Sequence, residues 1–75
     1  MSKKYLTDAS AHEALRVFEL PLSAKGFEGR QVDDPENFAR QEFSNGKVLV
    51  VITVNHDKES GKNEVLVTAH FGAAG

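Results

Sequence analysis

The feature that most constrains this chain is one uninterrupted apolar run, residues 47–54, which reads KVLVVITV. Most of its residues are β-branched, which favours a strand over a helix. At about eight residues the run has the length of a strand and is far too short to span a membrane. We therefore interpret it as the central strand of a sheet. Alternation would place Val48, Val50, Ile52 and Val54 on one face and Leu49, Val51 and Thr53 on the other.

The chain of 75 residues has the length of one small domain, residues 1–75, and we expect residues 1–4 and 72–75 to be flexible. The absence of cysteine excludes disulfides and thiolate chemistry and favours the cytoplasm. The basic residues at the start are not followed by the long apolar core of a signal peptide. We therefore expect no export and no membrane attachment.

A helix is predicted to begin between Thr7 and Ser10. Ser10 and Glu13 have the spacing of a capping box, in which two side chains satisfy free backbone N–H groups at a helix start. Pro21 disfavours helical geometry at the preceding residue, so the helix is predicted to end at Leu20. On a helical wheel the apolar residues of this segment form one stripe that can cover a sheet: Ala11, Ala14, Leu15 and Phe18.

Residues 35–44 have two interpretations, which give different folds. The Asp-Pro pair at residues 34–35 and the glycine at position 46 would frame a second helix, although its apolar residues form no stripe. The Asn-Gly pair at residues 45–46 instead favours a strand joined to the central strand by a type I′ turn. Paired in this way, the facing residues would be Phe43 and Val48, Glu42 and Leu49, Arg40 and Val51, and Ala39 and Ile52.

A second hairpin follows the central strand. Residues 55–63 form a polar connection with a glycine near its tip, and residues 64–71 alternate in polarity beyond it. A slip of one residue would expose the whole apolar face, so the pattern fixes the register with Val54 beside Val65. The residues of the last strand that join the apolar face are Val65, Val67, Ala69 and Phe71.

The predicted fold is therefore α+β, with one N-terminal helix packed on a small antiparallel sheet. The favoured order is an αβββ meander, and the alternative is ααββ, with residues 35–44 helical. Residues 29–32 could add a short edge strand to either arrangement.

The sequence contains no pattern that is typical of an enzyme or of a cofactor or metal site. The three histidines, His12, His56 and His70, lack the spacing of metal ligands, and no serine lies in a nucleophile elbow. The acidic residues at positions 33–36 have no calcium-loop spacing, and an exposed turn accounts for them. We therefore expect a protein without catalytic residues, cofactor or bound metal.

The charge of the chain does not favour nucleic acid. The formal net charge is −2, and the basic residues form no stripe on a helix or strand. A nucleic-acid-binding domain that uses the sheet face or the basic N-terminus is therefore the alternative hypothesis. The leading hypothesis is a non-catalytic protein-binding module, a small intracellular regulator, inhibitor or adaptor that acts by occupying the surface of a partner.

The predicted binding surface is the second face of the sheet, which one helix cannot cover. A continuous apolar patch of this kind tends to mark an interface. It predicts a protein partner and also a homodimer, formed through this face or through an exposed strand edge. The stems of Arg40 and Glu42 could instead cover the apolar residues and leave the protein monomeric. The predicted partner-binding residues are Leu49, Val51, Leu66, Thr68, His70 and Arg40.

Overall fold

The computed structural model of the chain describes residues 2–32 and 39–72. Its elements, in chain order, are β1 (Ser2–Thr7), α1 (Ala11–Ala24), β2 (Glu28–Gln31), β3 (Ala39–Ser44), β4 (Val48–Asp57) and β5 (Lys62–Phe71). The strands form one antiparallel sheet in the order β1-β5-β4-β3-β2. The predicted α+β fold, a helix packed on an antiparallel sheet, is confirmed, although the sheet has five strands rather than three.

Strand β4 lies at the centre of the sheet, as its apolar run predicts. Its side chains at Ile52 and Val54 are completely buried. Val54 pairs with Val65 and Ile52 with Val67, so the predicted register of the second hairpin is confirmed. The alternation of β4 therefore determines which residues of its neighbours reach the core.

Helix α1 starts where the capping pattern predicts. Ser10 is the N-cap, and its Oγ accepts a hydrogen bond from the Glu13 backbone N–H at 3.2 Å. The predicted apolar stripe packs on the sheet, with Ala14 and Leu15 buried and Ala11 and Phe18 partly buried against the same cluster. The helix lies over β2, β3 and β4. It has 14 residues, and the described residues include no helix that is long and apolar enough to cross a membrane.

The predicted end of the helix at Leu20 is wrong, because α1 continues through Pro21 to Ala24. Pro21 removes one helical hydrogen bond. The last turn is held by packing and by capping. Leu22 packs against the core, and its carbonyl oxygen accepts hydrogen bonds from the N–H groups of Lys25 (3.1 Å) and Phe27 (3.0 Å).

Strand β3 decides between the two predicted topologies. Residues 39–44 are strand, so the helix predicted as the alternative for residues 35–44 is wrong there, while residues 35–38 lie outside the described residues. Phe43 is completely buried in the core beneath the helix.

The turn between β3 and β4 differs from the predicted type I′ turn at residues 45–46. The Asn45 N–H donates to the Val48 carbonyl at 3.3 Å, so the two central residues are Gly46 and Lys47. Gly46 has a φ of +90°, and no described non-glycine residue has positive φ. The Asn45 side-chain oxygen accepts hydrogen bonds from the Lys47 and Val48 N–H groups, both at 2.9 Å. These two hydrogen bonds fix Asn45 at the end of β3.

This turn displaces the hairpin register by two residues from the predicted one. Phe43 pairs with Val50 rather than Val48, and Glu42 with Val51 rather than Leu49. Arg40 pairs with Thr53 instead of Val51, and Ala39 with Val54 instead of Ile52. Because the displacement is an even number of residues, every side chain keeps its predicted face.

Two edge strands complete the sheet. β1 pairs with β5 through residues 2–7, so residues 2–4, which the sequence suggested to be flexible, belong to a strand. β2 pairs with β3 and corresponds to the edge strand suggested at residues 29–32, displaced by one residue. Residues 73–75 lie outside the described residues.

The helix does not cover the whole face that the sequence assigned to the core. Phe71, at the end of β5, is 65% exposed, so its predicted place in the core is wrong. It pairs with Val48 at one end of the sheet, whereas α1 lies over β2, β3 and β4. The apolar face is therefore closed over β3 and β4 and only partly closed over β5 and β1.

Gly29 in β2 is required by a buried aromatic ring. It pairs with Phe43, and a Cβ atom at position 29 would lie 2.6 Å from Cε2 and 2.9 Å from Cδ2 of that ring. Such distances are shorter than van der Waals contact, and Phe43 has no exposed surface toward which it could move. The edge strand can therefore pack beside the core only with glycine at this position.

We expect Ile52→Ala to lower the free energy of unfolding by about 2–5 kcal/mol, because it leaves a cavity under the helix. Urea denaturation measures the change. The matched control is Val17→Ala on the exposed side of α1, which should change stability by less than about 0.5 kcal/mol. Equal effects of the two substitutions would contradict the position of Ile52 in the core.

We expect Gly29→Ala to lower the free energy of unfolding by about 1–3 kcal/mol, because the added methyl group overlaps the Phe43 ring. A double-mutant cycle with Phe43→Leu tests this cause. In the Phe43→Leu background the methyl group has room, so Gly29→Ala should be less destabilising there. An unchanged effect would show that the ring is not responsible.

Candidate protein-binding face

The face of the sheet opposite α1 brings all six predicted binding residues together. We call it the open face. Strand pairing places Leu49 beside His70, Val51 beside Thr68, and Leu66 and Arg40 on either side of Thr53. The residues come from three adjacent strands, β3, β4 and β5, and lie on one face of the sheet. Their binding role remains a prediction.

The centre of the open face is apolar. Leu49, Val51 and Leu66 are partly exposed there, and no helix among the described residues lies over them. Thr53 lies between Leu66 and Arg40 and is only 9% exposed to solvent. The centre of the open face is therefore a partly exposed apolar surface.

Two arginines and one glutamate form a charged cluster over the β3 side of this centre. The Glu42 carboxylate accepts hydrogen bonds from Arg40 at Oε2 (2.8 Å from Nη2 and 3.2 Å from Nε) and from Arg30 Nη2 at Oε1 (3.3 Å). A guanidinium that donates from two nitrogens is held in orientation as well as in position. Glu42 pairs with Val51, so the charged cluster borders the apolar centre on this side.

The cluster holds the pKa of the Glu42 carboxyl below its ordinary value of 4.5, mainly through the hydrogen bond from Arg40. Partial burial opposes this effect, and the hydrogen bond from Arg30 adds to it. Only 14% of the Glu42 side chain is exposed, so the charged form depends on its two arginines. Glu42 is therefore ionised at neutral pH and keeps both arginines in place.

The remaining charges on the open face are balanced. Lys4 Nζ lies 3.7 Å from Glu64 Oε1. Lys62 is opposite Asp57 in the strand register, and its Nζ lies 3.9 Å from Asp8 Oδ2. By strand pairing, the face carries the basic residues Lys4, Arg30, Arg40 and Lys62 and the acidic residues Glu28, Glu42, Asp57 and Glu64. The surface therefore combines an apolar centre with a mixed, neutral rim.

The histidines do not converge on a site. His12 is on the exposed side of α1, His70 is on the open face, and His56 lies in β4 on the other face, with its Nδ1 3.4 Å from the Asn63 side-chain oxygen. Within residues 2–32 and 39–72, no three histidine or carboxylate groups are close enough to hold a metal ion. The acidic residues at positions 33–36 lie outside the described residues.

A second apolar surface, which the sequence analysis missed, runs beside α1 on the opposite side of the sheet. This groove of about 720 Å³ is lined by Ser2, Lys3, Tyr5, Phe18, Val67 and Ala69. The rings of Tyr5 and Phe18 lie 6.5 Å apart, and burial raises the pKa of the Tyr5 hydroxyl.

The groove exists because β1 extends the sheet beyond the helix. The only signal for β1 was the short segment Tyr-Leu-Thr at residues 5–7, which follows two lysines.

We expect Glu42→Gln to destabilise the protein at neutral pH but not at low pH. The folded pKa of Glu42 is lowered, so its stabilising effect is present above the ordinary value of 4.5 and is lost as pH falls through the folded pKa. Urea denaturation between about pH 7 and about pH 3 should show the two free energies of unfolding converging. The double variant Glu42→Gln, Arg40→Gln should show the same pH dependence of the free energy of unfolding as Glu42→Gln alone. A difference in the free energy of unfolding between wild type and Glu42→Gln that stays constant with pH would show that ionisation of Glu42 does not stabilise the fold.

The comparisons with known proteins identify no relative of this chain. No protein-family model, no curated protein and no solved structure matches it. The function proposed below is therefore supported by the geometry and charge of the open face.

Proposed function

We propose that this chain is a non-catalytic protein-binding module whose open face docks on a protein partner. The observation that carries the proposal is the position of Leu49, Val51 and Leu66, which form a partly exposed apolar centre on adjacent strands. Protein interfaces commonly have an apolar centre surrounded by polar and charged residues, and arginine is enriched in them. The open face has this composition.

The charges of the open face favour a protein over a nucleic acid. A nucleic-acid site needs an excess of basic residues to contact phosphates, together with aromatic residues on which bases can stack. Here each basic side chain has an acidic one nearby, as in the Lys4–Glu64 pair, and the centre is aliphatic. Binding through the sheet to nucleic acid therefore remains the alternative and is an outcome of the test below.

We further propose that the protein works as a small cytoplasmic regulator, inhibitor or adaptor. The cysteine-free composition supports a reducing compartment. Occupying a partner's surface requires a rigid face, which a sheet held by antiparallel pairing on every strand provides. We also propose a homodimer of twofold symmetry, supported by the apolar centre of the open face and by the two exposed strand edges.

The test is capture of partners from a lysate of the source organism, with Val51→Lys as the disrupting variant. A lysine at position 51 places a charge in the apolar centre, and loss of a central contact should reduce recovery of a true partner about tenfold or more. The matched control is Val17→Lys, the same change at an exposed position of α1. Thermal denaturation verifies that both variants fold.

The proposal requires a protein that is recovered with the wild type and with Val17→Lys but not with Val51→Lys. Its binding should persist as salt is raised, because apolar contacts release few counterions. Recovery of nucleic acid that declines steeply with salt would support the alternative function. Equal recovery with both variants, or no recovery above background, would overturn the open face as the binding site.

A further inference from the structure

Strand β2 has a free edge whose residues can pair with a copy of themselves. It is the outermost strand on its side of the sheet, all four of its residues are exposed, and no described strand lies beyond it. Natural edge strands are usually protected by short length, by charged side chains, above all lysine, by proline or by a bulge. β2 contains no lysine and no proline, and its two charged residues, Glu28 and Arg30, have opposite sign, so they can attract across a pair of copies. β1 at the other edge carries two like charges, Lys3 and Lys4.

The hydrogen bonds of β2 show which backbone groups face outward. The Val32 N–H donates to the Arg40 carbonyl at 3.2 Å, which makes this a hydrogen-bonded pair of the ladder. Hydrogen-bonded and non-hydrogen-bonded pairs alternate along an antiparallel ladder, so every second residue of β2 directs its N–H and C=O groups toward β3. Besides Val32, these residues are Arg30 and Glu28. Gly29 and Gln31 therefore direct theirs toward the free edge.

This alternation limits the registers in which two β2 strands can pair antiparallel across a twofold axis. An outward-facing residue must meet an outward-facing residue, so the strands can be centred on position 28, 29, 30 or 31. Centring on Glu28 or on Arg30 would oppose like charges, which is destabilising. Centring on Gln31 would place Arg30 opposite Val32 of the other copy. Centring on Gly29 places each Glu28 opposite an Arg30.

The Gly29 register also brings these charges as close as the ladder allows. Gly29 would form the hydrogen-bonded pair with Gly29 of the second copy. Glu28 and Arg30 would then occupy the flanking non-hydrogen-bonded pairs, where Cα atoms lie only about 4.5 Å apart and side chains are closest. Both side chains lie on the open face, and the side chain of Arg30 is 76% exposed, so it can reach a second carboxylate in addition to Glu42.

We infer that the chain dimerises by antiparallel pairing of β2 with β2 of a second copy, centred on Gly29. The inference rests on the twofold dimer proposed above and identifies its interface as a strand edge. The axis would run perpendicular to the sheet, which places both helices on one side and both open faces on the other. The pairing would join two five-stranded sheets into one of ten strands and leave both open faces available to partners.

Charge exchange tests this interface. Glu28→Arg and Arg30→Glu each put like charges opposite one another twice in the dimer, so each should raise the dissociation constant about tenfold or more. The variant that carries both substitutions restores the opposite pairs and should dimerise within about threefold of the wild type. Sedimentation equilibrium at low ionic strength over a hundredfold range of concentration measures each constant.

Mixing the two single variants gives a second readout that a folding defect cannot imitate. Glu28→Arg pairs correctly with Arg30→Glu, so an equimolar mixture should form a heterodimer, although each protein alone associates weakly. The matched control for Glu28→Arg is Glu59→Arg, which makes the same change in net charge in the exposed turn between β4 and β5 and should leave dimerisation unchanged. Circular dichroism melts verify that every variant is folded.

The possible failures are distinguishable. A wild type that remains at 8.2 kDa at all concentrations would overturn both the dimer and this interface, without bearing on the open face. A dimer that tolerates both single charge reversals but is lost in Val51→Lys would overturn the β2 interface and place the dimer on the open face. Dimerisation that is equal in all variants would also overturn the β2 interface.

Discussion

One helix has to cover one face of a five-stranded sheet, and the rest of the structure depends on how it does so. Strands lie about 4.8 Å apart, whereas a helix with its side chains is about 10 Å wide, so α1 can cover only part of the sheet. It lies over β2, β3 and β4. The completely buried side chains are those beneath or beside it, Phe43, Ile52, Val54 and Val65. Because α1 does not extend over β1 and β5, the groove lies beside the helix and Phe71 is exposed.

The parts of the fold that were predictable from sequence are those determined by strong local patterns. The apolar run specified β4, the pairing of Val54 with Val65 followed from burial of one face, and Ser10 with Glu13 located the start of the helix. Strand β1 was missed because its short, lysine-containing segment has no local signal, and only pairing with β5 makes it a strand. The helix end was misplaced because packing of Leu22 compensates for Pro21.

The open face was predictable for the same reason as the core, since alternation assigns both faces of a strand together. The charged cluster on this face was not predictable from the sequence. Glu42 accepts hydrogen bonds from one arginine two residues away and from another on the neighbouring strand, and no sequence pattern specifies the second contact. The position of the cluster relative to β4 depends on the β3–β4 register, which places Glu42 beside Val51 rather than Leu49 because Asn45 bonds to the backbone of the turn. Side-chain chemistry in a turn therefore determined which apolar residue of β4 the charged cluster lies beside.

The order of the strands also has a consequence for synthesis of the chain. Strand β1 is synthesised before the other four strands, yet its neighbour in the sheet is β5, and Ser2 pairs with Thr68. Residues 2–7 therefore have no strand partner until residues 63–68 of β5 have been made. Long-range pairing of this kind slows folding and exposes apolar residues in the meantime. The two lysines of β1 keep the waiting segment charged, which protects the nascent chain from pairing with the edge of another molecule.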